Sequence, residues 1–183
     1  MEASQQGIKL DNKMLGLIRT TSRNNVERIN IADQKASTLM SLNAIIITVM
    51  VPLLLSYIDV IYDRQLYIPI LLLSINSLVT LYMASKALKP KALSSESYIY
   101  DKDGNPSPFF FGNFYKMSKD EYRDYFQSTL SDEELLPQFV FQDLFHIGKL
   151  VARKYVIIRQ AYLIFMTGLV IVVLSTAVVL MVG

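Results

Sequence analysis

Six positions in the first quarter of the chain, Asn25, Arg28, Ala32, Lys35, Leu39 and Asn43, fall within about an 80° sector of a helical wheel, so two cations and two amides share one face. Such a face can hold an anion. A second group, Lys149, Arg153, Lys154, Tyr155, Arg159 and Tyr162, lies near the other end, with Tyr155, Arg159 and Tyr162 on a common face. Arginine grips phosphate with a planar fork, and a tyrosine ring can stack on a base. Each group also has a plainer reading. Arg28 and Lys35 suit ordinary membrane-boundary charges, paired with carboxylates such as Asp33 of another subunit or with the central segment. The cations and tyrosines of the second group suit an interfacial belt.

Other chemistry is thinly represented. The chain has no cysteine and a single histidine, which leaves no disulfide, thiolate nucleophile or His/Cys metal cluster, and no cofactor is expected. The stretch from Asp101 (DKDGNP) opens like a calcium loop, but Pro106 stands where the glycine belongs and Gly112 where the bidentate glutamate belongs, so it reads as a turn. His146 sits among Phe141, Leu144, Phe145 and Ile147 without a partner triad. No phosphate-binding loop or dinucleotide fingerprint occurs, and the chain reads as no enzyme.

The elements that must position these residues are set by three runs without a charged residue, 36–58, 65–85 and 160–183, each rich in Leu, Ile, Val and Met. As helices they reach about 31 to 36 Å, enough for a hydrocarbon core of about 30 Å. Runs this long and continuous belong to helices rather than barrel strands. The expected fold is an all-α membrane protein with three transmembrane helices, the first and third extended into a cytoplasmic helical bundle. Of the 18 Lys and Arg, six precede the first span, eleven lie between the second and third, and Arg64 alone occupies the first loop. By the positive-inside rule the N-terminus and the central segment face the cytoplasm and the C-terminus lies outside. The expected segments are a cytoplasmic N-terminal helix 1–35, spans at 36–58 and 65–85 around an external loop 59–64, a cytoplasmic segment 86–159, and a third span 160–182.

Local signals refine this outline. Apolar spacing from Asp11 onward predicts one helix running into the first span, with a kink at Pro52. Pro90 ends the second span. Residues 94–114 read as irregular, and the phenylalanines at 109, 110, 111 and 114 require burial. Ser118 with Glu121 makes a capping box for a short helix to about Leu130, and Ser131 with Glu134 offers a second start. From Pro137 the pattern stays helical to the C-terminus, a rod of about 67 Å over residues 138–182. The cytoplasmic parts hold 17 basic and 14 acidic residues, an excess that suits lipid headgroups or a small anion better than a nucleic-acid polymer.

The spans contain no Asp, Glu, Lys, Arg or His, which argues against a proton pump, voltage sensor or charge-coupled transporter. Their polar residues, among them Asn43, Asn76, Ser77 and Thr80, suit helix packing, or a pore lining when several subunits assemble. One chain with three spans cannot enclose a wide channel.

Two segments resemble a known family: NVERINIADQKASTLMSLNAII (25–46), and FFFGNFYKMSKDEY (109–122) followed by LFHIGKLVARKYVIIRQAYLIFMTG (144–168). The likeness is to the small transmembrane effectors of the Pycsar anti-phage systems and extends over nearly the whole chain; Pro137 departs from it. The resemblance implies that a cyclase encoded alongside makes cyclic CMP or cyclic UMP on infection. The effector, a homo-oligomer in the bacterial inner membrane, then impairs that membrane and host growth stops before phage release. Carried over by motif, the ligand positions are Asn25, Arg28, Asp33, Lys35, Asn43, Phe110, Phe111, Tyr122, Lys154, Tyr155 and Arg159. The alternatives are a non-catalytic membrane anchor that recruits a cytosolic partner, and an enzyme using Asp33 or His146 as base.

Overall fold

Asp11 accepts a hydrogen bond from the Met14 backbone N–H at 2.7 Å, one of the orphan donors at a helix start. In the computed structural model, which describes residues 11–89, 107–115, 117–132 and 135–182, six helices follow. They are α1 (Asn12–Ser56), α2 (Ile58–Asp63), α3 (Tyr67–Leu88), α4 (Phe111–Phe114), α5 (Lys119–Ser131) and α6 (Leu135–Val182). No strand occurs among the described residues. Three of the helices, α1, α3 and α6, are long and apolar enough to cross a membrane. The protein is an all-α membrane protein.

The first loop carries a short helix, α2 at Ile58–Asp63. It ends on Gln65 at φ 54, with the Leu66 N–H donating to the Ile61 carbonyl at 2.9 Å and the Gln65 N–H to the Tyr62 carbonyl at 3.2 Å. This is the helix-terminating arrangement in which a left-handed residue is usually glycine. At the far end of α3, Lys89 adopts an extended backbone (φ −58, ψ 122), as a residue before proline prefers. The Asp101–Pro106 turn lies outside the described residues.

The chain divides into two compact units, Met1–Arg28 with Pro90–Ala152, and Ile29–Lys89 with Arg153–Gly183. In the first, α5 and the aromatic segment before it are tied by side chains. Tyr122 donates its hydroxyl to the Pro108 carbonyl at 3.2 Å, and its ring lies 4.7 Å from Phe114 and 5.7 Å from Phe126. Phe109 meets Phe126 edge-on at 5.7 Å. Aromatic pairs at these spacings gain more than their buried area alone. Phe139 and Thr129 are buried in the same unit.

The capping box is present in full: Glu121 N–H donates to Ser118 Oγ at 3.3 Å and Ser118 N–H to Glu121 Oε2 at 2.7 Å. The second start differs from the expected one. Ser131 closes α5, donating its hydroxyl to the Gln127 carbonyl, and Asp132 accepts from the Leu135 N–H at 3.0 Å instead. Ser118→Ala should cost about 1 kcal/mol of α5 stability, read as faster amide exchange over residues 119–122. The hydrogen bonds from Ser118 hold the Glu121 carboxyl below its ordinary range. Its contribution is therefore complete above the unfolded-state value and is lost as pH falls through the folded one. Protection of that first turn should drop on acidification, and Glu121→Gln should flatten the profile.

The second unit is a three-helix packing of the spans. Ala32, Ala36, Ala87 and Ile158 form one buried cluster, and Leu39, Ala84, Ala161 and Phe165 form the next. In the second cluster, all of whose residues lie within the charge-free runs, Ala84 and Ala161 allow the close backbone approach by which helices associate in lipid. The remaining apolar surface, such as Leu163, Val170, Val173 and Val178 of α6, stays exposed. That pattern is the one expected of lipid-facing side chains.

Candidate functional site

The polar end of the second unit is where α1 and α6 exchange their charged side chains. Asp33 accepts a short hydrogen bond from Lys154 Nζ across 121 residues of sequence, and both side chains are only partly exposed, 36% and 22%. Two turns further along α6, Tyr162 donates its hydroxyl to the Lys35 carbonyl at 3.3 Å. Tyr155, half-buried, packs against the alanine cluster between them. Beside these contacts lies a shallow, open cleft of about 480 Å³ lined by Asn30, Asp33, Gln34, Ser37 and Leu88.

Charge is left over at this end. Lys35 and Arg159 are exposed and make no ion pair among the described residues. Of the four cations on α1 and α6 in this unit, Lys35, Arg153, Lys154 and Arg159, Lys154 is thus committed to a carboxylate and the other three are exposed without an ion pair among the described residues. The Asp33–Lys154 pair is itself exchangeable, since a partly exposed ion pair is worth little more than its hydration.

The predicted positions separate accordingly. Asp33, Lys35, Lys154, Tyr155 and Arg159 lie together in the second unit, and Asp33, which the plainer reading pairs with Arg28 or Lys35 of another subunit, meets Lys154 of its own chain. Asn43 belongs to this unit as well but sits elsewhere: it is completely buried among the spans, with its amide donating to the Leu39 carbonyl at 2.8 Å. The stripe that carries Ala32, Ala36, Leu39 and Asn43 is the packing face of α1, and Lys35 lies at its margin in solvent. Asn25, Arg28, Phe110, Phe111 and Tyr122 belong to the first unit. There Arg28 is exposed, Asn25 and Phe110 are half-buried, and Tyr122 is engaged by Pro108 and two phenylalanines; the Phe111 side chain lies outside the description.

Three cleft residues, Asn30, Gln34 and Ser37, were not among the predicted positions. A signal for them exists, since 30, 33, 34 and 37 repeat at helical spacing beside the alanine stripe. Leu88 carries no such signal, because its place depends on where α3 lies. No group of His, Cys, Asp and Glu able to hold a metal is present among the described residues.

The family model for the Pycsar effector protein domain matches residues 17–182. The chain belongs to that family, which gives it an anti-phage effector role exercised by a membrane protein. No curated protein and no solved structure matches the chain.

Proposed function

We propose that this member of the Pycsar effector family is a non-enzymatic sensor that binds cyclic CMP or cyclic UMP and responds, as a homo-oligomer, by breaching the bacterial inner membrane, with abortive infection as the outcome. The observation that carries this reading is the unbroken course of α1 and α6 through residues 36 and 160, so that the candidate ligand residues and a charge-free span share one helix in each case. By the bias of Lys and Arg, the polar end of the second unit faces the cytoplasm, where the nucleotide is made.

In this mechanism Lys35 and Arg159 engage the cyclic phosphate, and Lys154 exchanges Asp33 for the same anion. The exposed edge of Tyr155 and the amides of Asn30 and Gln34 flank the pyrimidine. Exchange at Lys154 releases a tie between α1 and α6, which frees the spans to rotate. A ligand moves such an equilibrium only through its preference for the altered state: a shift from 1:99 to 99:1 takes about 5.5 kcal/mol, a load that several sites in an oligomer divide.

A thermal-shift screen of the detergent-solubilised protein tests the reading. Cyclic CMP or cyclic UMP should raise the melting temperature, linear monophosphates should not, and Lys35→Ala or Arg159→Ala should remove the shift. No shift with any cyclic mononucleotide, together with liposomes that stay tight, would leave the chain an inert anchor.

A further inference from the structure

The interior of the second unit is polar at one level. Asn43, Ser77 and Thr80 are completely buried and Asn76 is 8% exposed, although the runs that carry them are otherwise apolar. Ala32 and Ala36 pack with Ala87, and Leu39 packs with Ala84, so α1 and α3 run antiparallel. One turn on from Leu39 and one turn back from Ala84 therefore bring Asn43 level with Thr80, with Ser77 and Asn76 next along α3.

The hydrogen bonds inside this layer do not close. Thr80 donates to the Asn76 carbonyl at 2.7 Å, the Asn43 amide to the Leu39 carbonyl at 2.8 Å, and the Asn76 amide to the Phe165 carbonyl at 3.4 Å. Asn43 Oδ1 and Ser77 Oγ, both fully buried, are left without a hydrogen bond among the described residues. A buried acceptor left unpaired costs its full desolvation, whereas an apolar residue of the same shape would fill the space without that penalty. Leucine at 43 and alanine at 77 would leave no unpaired polar atom at these two positions.

We infer that Asn43, Asn76, Ser77 and Thr80 are the water-facing lining of the open state, held dry and under-satisfied in the closed bundle. The inference rests on the proposed reading that the protein breaches the membrane as an oligomer. Rotation of the spans trades the unpaired acceptors for water, which lowers the cost of opening at the level where an apolar core would resist hydration. The lining carries amides and hydroxyls but no ionisable group, so it passes small ions of either sign with little selectivity.

Proteoliposomes of the full chain, loaded with potassium and chloride and read with an electrode selective for each ion, provide the test. Cyclic CMP or cyclic UMP should release both from wild-type vesicles. Asn43→Leu, Ser77→Ala and Thr80→Val should each lose the release, while Ser77→Thr keeps it. Ser77→Ala should also retain the nucleotide-induced rise in melting temperature and show a higher resting one, which demonstrates a folded, ligand-competent protein. Equal leakage from wild type and from all three apolar variants overturns the lining while leaving the effector reading intact. Wild-type vesicles that stay tight with every cyclic nucleotide overturn both.

Discussion

Gly168→Ala should lower the melting temperature of the solubilised protein sharply, and Asn76→Ala in the same chain should restore most of the loss. A Cβ at position 168 would stand 2.0 Å from Asn76 Oδ1 and 2.1 Å from its Cγ, distances no real pair of atoms keeps. The Asn76 amide would have to leave its place beside α6, giving up its bond to the Phe165 carbonyl and moving within a nearly closed interior. Overpacking of this kind costs about 1–3 kcal/mol. Removing the side chain that collides takes away the collision as well, so the pair should be strongly non-additive in a double-mutant cycle. Gly148, where an added Cβ would meet nothing beyond its own helix within 4 Å among the described residues, is the control: Gly148→Ala should be neutral or slightly stabilising through helix propensity. Additive losses at 168 and 76 would mean that α3 and α6 do not approach there.

Lys154→Ala should destabilise the protein by about 1–2 kcal/mol, between the small value of an exposed ion pair and the larger one of a buried pair broken on one side. Asp33 would be left partly buried with no cation against it. Asp33→Asn removes that charge, and the double variant should recover part of the loss. Under the proposed mechanism the same Lys154→Ala loosens the tie between α1 and α6, so its liposomes should leak slowly without nucleotide and respond weakly when it is added. A variant that is destabilised yet remains tight and fully responsive would remove the ion pair from signal transmission and leave it a packing feature.

These two contacts show why the candidate site was only partly legible beforehand. The spacing of Ala32, Ala36, Leu39 and Asn43 was visible as a stripe, but a stripe containing Asn43 and bordered by Arg28 and Lys35 looks equally like a polar groove or a packing face. Choosing between them requires the helices that cover it. Asp33 offers a carboxylate without naming its cation, since Lys154 lies 121 residues away and several cations stand nearer in sequence. Asn30, Gln34 and Ser37 shared a helical spacing but joined a cleft only because Leu88 closes it.

What the chain's order of residues determined by itself was everything governed by local chemistry. Three long charge-free runs specify helices that satisfy their own backbone in lipid, Ser118 and Glu121 specify a helix start, and the motif segments specify the family. The tertiary structure alone decided which side chains meet: Lys154 with Asp33, Asn76 against Gly168, and Asn43 sealed among the spans. The physical reason is that a helix's period sets its faces, whereas its rotation and axial register against neighbours are set by many weak contacts at once, none of which a single segment contains.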